Sequence, residues 1–188
     1  MTTIKVGVAG LGYWGPNLAR NFAAIPGCEL AWLCDGDAER LERIGASLPR
    51  ARRTRSLDEP LADPELDAVV LATPVPTHAD LAERVLAAGK HCFVEKPLAQ
   101  TVTDAERAVA AAERYARTLM VGHLLEYHPG VAKLKEIADA GELGQIHYIY
   151  SNRLNLGKLR ADENALWSLG AHDVSVLLHL AGEEPYEV

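Results

Sequence analysis

The sequence predicts an α/β protein: a doubly wound, mainly parallel sheet covered on both faces, followed by a partial α/β second domain. Three observations predict it. A short apolar run, Ile4 to Ala9, ends in Gly10-x-Gly12-x-x-Gly15 and passes into an amphipathic stretch carrying Leu18, Ala19, Phe22 and Ala23. Strand-like and helix-like patterns then alternate as far as Gly122. Beyond Gly122 that alternation stops, which divides the chain into residues 1–122, opened by the glycine-rich unit, and 123–188, a second and incomplete domain.

The opening unit carries its own chemistry. Nothing polar follows Lys5 in the first run, as in a strand buried on both faces. Gly10 permits a tight turn, Gly12 lets backbone amides approach a pyrophosphate, and Gly15 allows close packing of helix on strand. Pro16 suits a first helical turn, where its missing N–H is not needed. The helix start is the positive end of its dipole and favours a diphosphate. Asp35 closes the next apolar run, Leu30 to Cys34, at the place where a ribose diol would be held. This is the Rossmann pattern; the glycines alone would fit an ordinary turn, and the flanking strand, helix and acid give them their meaning.

The elements follow in order. A helix is expected over Ala38 to Leu48, then a short basic segment ending at Arg55 that reads as a solvated strand edge. Ser56-x-x-Glu59 resembles a capping box. Asp67 to Ala72 is a buried strand closed by Thr73-Pro74-Val75-Pro76-Thr77-His78, with Thr77 expected to cap a helix bearing Leu81, Val85 and Leu86. Gly89 ends that helix. His91 to Val94 is a strand running into Glu95-Lys96-Pro97; Thr103-x-x-Glu106 opens a helix; Leu119 to Gly122 is a further strand. In such sheets ligands sit at the carboxyl ends of the strands, where the glycine loop, Asp35, Thr73 to His78 and Glu95 to Pro97 all fall. Past them, His123 to Pro129 reads as a linker, and Gly130 to Ala140 as a helix. Gln145 to Leu156 reads as a long strand with Ser151, Arg153 and Asn155 on its polar face, and His172 to Ala181 as a final helix. One long half-polar strand needs neighbours that this chain does not supply, so the second domain is expected to be incomplete.

Composition narrows the class. Hydrophobic residues make up 48% of 188, enough for a buried core, and the net charge of −7 argues against nucleic acid as a partner. No apolar run is long enough to span a bilayer and no signal-peptide pattern opens the chain, so a cytoplasmic location and no membrane partner are expected. Cys28, Cys34 and Cys92 lack metal-ligand spacing and read as thiols in a reducing compartment. Seven histidines are present without HExxH or CxxC, so no metal site is expected.

The motifs GLGYWG, ATPVPTH, EKP and LWSLGAHD, in that order and at those places, resemble the glucose–fructose oxidoreductase and inositol dehydrogenase (Gfo/Idh/MocA) family. The resemblance covers essentially the whole chain and implies a Rossmann domain followed by a larger open-sheet domain, in members clearly longer than this chain. The stretch from Glu126 to Asp173 resembles the branch that oxidises the 3-hydroxyl of a UDP-N-acetylhexosamine-type sugar. The implied partner is a sugar or nucleotide sugar, and a homo-oligomer formed through the open sheet.

The resemblance assigns roles. Lys96 of EKP would hydrogen-bond the reacting hydroxyl and stabilise charge on its oxygen; the alternative is a surface lysine paired with Glu95. His172 would be the general base, its ordinary pKa of about 6.5 suiting that work; the alternative is a helix-start histidine satisfied by Asp173. Many members carry an acid where Ser168 stands here, so the proton relay would lack a charged partner. Gly10, Gly12, Tyr13, Trp14, Gly15, Asp35, Thr73, Pro74, His78, Glu95, Lys96 and Pro97 form the expected cofactor site, with His78 open to a helix-start role. Asp35 favours NAD over NADP by accepting both ribose hydroxyls and repelling a 2′-phosphate, although Arg40 lies one turn away. Arg153, Asn155, Ser168 and Asp173 are substrate candidates, with a solvated strand face as the alternative for Arg153 and Asn155.

Overall fold

The computed structural model describes residues 3–154 and 166–187, and of Ser168 only the backbone. It divides into a unit ending at Gly122 and a second unit beginning at His123.

In the first unit, β1 (Ile4–Ala9), β2 (Cys28–Cys34), β3 (Arg52–Thr54), β4 (Ala68–Leu71), β5 (His91–Val94) and β6 (Leu119–Val121) form a six-stranded sheet. The order is β3-β2-β1-β4-β5-β6 and every pairing is parallel. The chain winds outward from β1 to β3, then returns to the other side of β1 for β4 to β6. The crevice of a doubly wound sheet lies at this switch point, between β1 and β4.

Register aligns the strand ends. Ala9 pairs with Cys34 on one side and Leu71 on the other, and Leu71 pairs with Val94. The ladder runs one residue further through Gly10 N to Cys34 O at 2.9 Å, Ala72 N to Ala9 O at 2.8 Å, and Glu95 N to Leu71 O at 2.9 Å. The residues that follow β1, β2, β4 and β5 therefore emerge on one edge.

Alternate strand residues feed cores on the two faces. Val6, Val8, Leu30, Leu33 and Val70 pack with Leu18 of α1 (Gly15–Ala24) and Leu41 of α2 (Ala38–Gly45). Trp32, Val69, Leu71, Cys92 and Val94 pack with Ala82, Val85 and Leu86 of α4 (His78–Ala87) and Ala108 of α5 (Val102–Tyr115). The short α3 (Asp58–Ala62) lies between β3 and β4 in sequence, and its Leu61 packs against this second core. Each fully buried Val or Leu contributes about 1.5–3 kcal/mol of transfer free energy, so this two-sided burial is what holds sheet and helices together.

Local signals set the helix starts, in part at other residues than expected. Asp37 caps α2, accepting from the Glu39 and Arg40 amides at 2.9 and 3.2 Å. Thr101 caps α5, its hydroxyl accepting from the Asp104 amide at 3.1 Å, so the pair two residues before Thr103 and Glu106 does the capping. Thr77 does not cap α4: its hydroxyl donates to the Pro74 carbonyl at 2.7 Å and closes the loop on itself. Nor is Ser56 to Glu59 a reciprocal box, because Ser56 accepts from the Asp58 amide at 3.2 Å while Glu59 bonds the Thr54 hydroxyl. The basic run is the expected strand edge. Arg53 pairs with Glu42 at 2.8 Å, and Arg52 pairs with Asp63 while its guanidinium lies 4.2 Å above the Trp32 ring.

The second unit holds a 3-10 turn, Leu124–Tyr127, inside the expected linker, then α6 (Pro129–Asp139), a π turn over Leu166–Gly170 and α7 (Ala171–Ala181). Here one expectation is corrected. The stretch expected to be a strand over Gln145 to Leu156 is not one: residues 145–154 form no ladder. Tyr148 is 81% exposed and Leu154 is 90% exposed. A strand exists through its partners, and no strand of this unit is present among the described residues to satisfy its amides and cover its apolar side. Asn155 lies outside the described residues.

Candidate active site

The glycine loop is built around two close approaches. Gly10 has φ +90°, and a Cβ there would lie 2.5 Å from the Ala72 carbonyl oxygen. A Cβ at Gly15 would collide with the Gly10 carbonyl oxygen. Both positions admit only glycine because β1, β4 and α1 converge there. Gly12 differs: the nearest atom to a Cβ would be Arg40 Nη1 at 4.0 Å, so its surroundings are open. No side chain caps the N-terminus of α1, whose Ncap is Trp14. Uncapped amides beside an open glycine fit an anion as large as a diphosphate.

Asp35 stands at the end of β2, half-buried. Its Oδ2 accepts from the Leu11 amide at 2.6 Å and its Oδ1 from the Asp37 amide at 2.8 Å. An ionised carboxylate offers about four lone-pair sites, so both oxygens keep capacity for a ribose diol. Two guanidinium groups flank it. Arg40 pairs with Asp37 at 3.2 Å, and Arg55 Nε donates to the Gly36 carbonyl at 3.1 Å. The sequence pattern pointed to Arg40 but not to Arg55, which β3 brings alongside from nineteen positions beyond Gly36. Together these features fit a dinucleotide.

Tyr13 and Trp14 stack with ring centroids 6.5 Å apart, and Tyr13 is 77% exposed. The Trp14 side chain lies beside the Glu95 carboxyl, which follows β5. Nothing in the spacing of Trp14 and Glu95 foretold that approach. Burial pushes the Glu95 carboxyl above its ordinary range, against the opposing pull of the Lys96 amide, the Lys96 charge and the Trp14 N–H. Its Oε1 is buried without a hydrogen-bond partner and packs near Gly122. Lys96 and Pro97 follow directly, joined by a cis peptide bond.

The loop after β4 supplies Thr73, Pro74 and His78. Thr77 Oγ1 and Thr73 Oγ1 are 2.9 Å apart, which holds the loop closed. His78 is 1% exposed, with Nδ1 2.8 Å from the Pro97 carbonyl oxygen and Nε2 2.8 Å from the Thr73 carbonyl oxygen. It thus lies beneath the segments that follow β4 and β5 and lines no open surface. The cofactor residues read from the sequence in the first unit all gather at one edge of the sheet.

A second group of candidates meets within the second unit. Arg153 Nε donates to Asp173 Oδ2 at 2.8 Å, and Ser151 Oγ donates to Asp173 Oδ1 at 2.7 Å. Burial works to raise the Asp173 carboxyl, but the Ser151 and Arg153 hydrogen bonds and the Arg153 and His172 charges outweigh it and hold it below its ordinary range. Arg153 is therefore an engaged side chain on an exposed segment that forms no strand. Ser151 was the missed partner; its place on the same face as Arg153 was the available signal. His172 is the second residue of α7.

Burial pushes the Cys34 thiol up to about 11 and the Cys92 thiol up to about 12, so both are inert apolar packing. Among the described residues no cluster of His, Cys, Asp or Glu could hold a metal ion, and no helix is long and apolar enough to cross a membrane.

Residues 4–123 match the family described as an oxidoreductase family with an NAD-binding Rossmann fold. The chain is 35% identical over 189 residues to a UDP-N-acetylglucosamine 3-dehydrogenase of Acidithiobacillus ferrooxidans, a match that covers 100% of this chain and 58% of the relative. It is 29% identical over 188 residues to an inositol 2-dehydrogenase of Salmonella typhimurium, covering 97% of this chain and 56% of that protein. The crystal structure of GenD2 from gentamicin A biosynthesis, in complex with NAD, superposes with a TM-score of 0.86 at 31% identity, over 97% of this chain and 54% of GenD2. The chain thus spans about half the length of these relatives. With the glycine loop, the acid after β2 and the 3-2-1-4-5-6 strand order all in place, the chain belongs to the Gfo/Idh/MocA family of NAD-binding oxidoreductases.

Proposed function

We propose that this chain is the cofactor-binding part of a dehydrogenase that moves a hydride between NAD and a sugar hydroxyl carbon, C3 of a UDP-N-acetylhexosamine-type sugar being the favoured position. The observation that carries the reading is the emergence of the glycine loop, Asp35, Thr73 and Lys96 on one edge of the sheet, beside the β1–β4 switch point. The chemistry NAD supplies when bound is acceptance of a hydride at nicotinamide C4. Gly10, Gly12 and Gly15, with the uncapped start of α1, would hold the diphosphate, and Asp35 the adenosine ribose. Lys96 would orient the substrate hydroxyl and stabilise negative charge growing on its oxygen as the C–H bond breaks. His172 would take the hydroxyl proton. Asp173 would hold Arg153 in place to meet substrate phosphate. The similarity to UDP-N-acetylglucosamine 3-dehydrogenase supports the nucleotide sugar.

A second reading, oxidation of a free polyol of the inositol type, is supported by the inositol 2-dehydrogenase similarity and uses the same residues. The test is a fluorescence titration of the chain with NADH and with NADPH, followed by turnover assays on UDP-N-acetylglucosamine and inositol. Saturable binding that favours NADH, with turnover only on the nucleotide sugar, is expected. Binding without turnover on either substrate would indicate a nucleotide-binding module, and no binding by the folded chain would overturn the reading. Lys96→Ala should lower turnover by about 100- to 1,000-fold while leaving NADH binding within a few-fold.

A further inference from the structure

His78 has an arrangement that its place in a helix start does not require. The ring is buried at 1% exposure, and both of its nitrogens lie 2.8 Å from backbone carbonyl oxygens, those of Pro97 and Thr73. A carbonyl oxygen only accepts. A neutral imidazole carries one N–H, so either tautomer would leave a nitrogen lone pair facing a carbonyl lone pair at hydrogen-bond distance. Turning the ring over would put carbons where the nitrogens stand and lose both bonds. With protons on both nitrogens the ring donates twice, and each bond is charge-assisted.

We propose that His78 is held as a buried imidazolium that ties the loop after β4 to the turn after β5, making it a positioning residue for Lys96. The two carbonyls it grips belong to Thr73, in the expected cofactor loop, and to Pro97, the residue following Lys96. The sheet ladder joins these segments up to Glu95 N and Leu71 O. Beyond that point the imidazole joins them, so the backbone that carries Lys96 is referred to the loop that would meet the nicotinamide end of the cofactor. Two effects oppose the charge: the ring is buried, which disfavours its charged form, and His78 is the first residue of α4, where the helix dipole disfavours a cation. Against them stand two charge-assisted bonds to fixed carbonyls, which leave neither ring nitrogen unsatisfied. Of the acids on the flanking elements, Asp80 on α4 is engaged by Arg107 of α5 at 2.5 Å, while Glu95 follows β5 and leads into the Pro97 turn.

The effect on Lys96 rests on the proposed dehydrogenase reading; the protonation of the ring does not. The experiment is nitrogen NMR of the wild-type chain with 15N-labelled histidine at pH 7.5, the His78 ring assigned through its proximity to Thr73 and Pro97 protons. Two protonated ring nitrogens, each coupled to its own slowly exchanging proton, are expected. One unprotonated nitrogen would overturn the imidazolium. The positioning role is read from His78→Gln and His78→Asn, which cannot donate in two opposed directions: turnover at saturating cofactor should fall about tenfold or more, equivalent to about 1.4 kcal/mol, while NADH Kd stays within a few-fold. Unchanged turnover in a folded variant would overturn that role. If the wild-type chain binds no NADH, the dehydrogenase reading fails and the nitrogen spectrum still decides the state of His78.

Discussion

The Leu11 amide donates to Asp35 Oδ2 at 2.6 Å, so the acid at the end of β2 holds the glycine loop of β1 before any ligand arrives. One carboxylate thus orders the loop that would meet the diphosphate and also presents the oxygens that would meet the ribose. Asp35→Asn should therefore act twice. It exchanges a charge-assisted bond for a neutral one and removes the repulsion of a 2′-phosphate. We expect NADH affinity to fall by about ten- to a hundredfold, corresponding to the roughly 1.5–3 kcal/mol of a hydrogen bond to a charged group. NADPH affinity should fall less. Parallel fluorescence titrations with the two cofactors check this, and an equal loss for both would contradict the ribose assignment.

Gly12 and Gly15 separate ligand effects from folding effects. A side chain at Gly15 meets the Gly10 carbonyl, whereas at Gly12 it meets open space bounded by Arg40. Gly15→Ala should destabilise the unit by several kcal/mol, on the order of the larger steric penalties seen in packed sites. Gly12→Ala should change stability by about 0.5 kcal/mol or less and weaken NADH binding about tenfold or more. Thermal melts alongside cofactor titrations make the comparison.

Glu95 sets a pH dependence of definite sign. Its carboxyl is raised by burial, so the folded chain holds that proton more tightly than the unfolded chain. The stability it contributes is fully present below the ordinary carboxylate range and is lost as pH rises through the raised value. At neutral pH its ionised form, with Oε1 buried and unpartnered, is a cost. Glu95→Gln should stabilise the chain by about 1 kcal/mol at pH 7.5 and by nothing measurable near pH 4. Denaturant melts at the two pH values decide it; a gain that persists undiminished at pH 4 would refute the charge argument.

Asp173 runs the other way. Its carboxyl is held below the ordinary range, so its contribution is present above that range and is lost as pH falls through the depressed value. Asp173→Asn should cost about 1 kcal/mol near neutrality, the upper end for a partly exposed pair. The loss should be traced by hydrogen exchange of α7 amides and should disappear in strong acid.

Local pattern carried much of the first unit. The apolar runs ending at Ala9, Cys34, Leu71 and Val94 are strands because they are buried from both faces, and that burial shows as uninterrupted hydrophobicity. Capping was less legible. Thr101 and Thr103 are both threonines followed three residues later by an acid, Asp104 and Glu106, and sequence alone ranks them nearly equally. Thr101 prevails because the helix begins at Val102 once Ala108 and Ala111 are turned toward the sheet.

The second unit marks where such reasoning stops. Ile146, Tyr148 and Tyr150 alternate with polar residues as a strand would, yet the segment pairs with nothing. Periodicity reports which face a segment would bury, while a strand also needs partner amides that no single segment contains.

By itself, then, the amino-acid order determined the alternating α/β class, the glycine loop and the acid after β2, because each is a short-range consequence of side-chain size, backbone freedom or hydrophobic run. Only the tertiary structure decided that Trp14 reaches Glu95, that Ser151 and Arg153 share Asp173, and that His78 joins Thr73 to Pro97. These contacts link residues many positions apart. Their geometry is set by the parallel register and by helix packing, which are properties of the assembled fold.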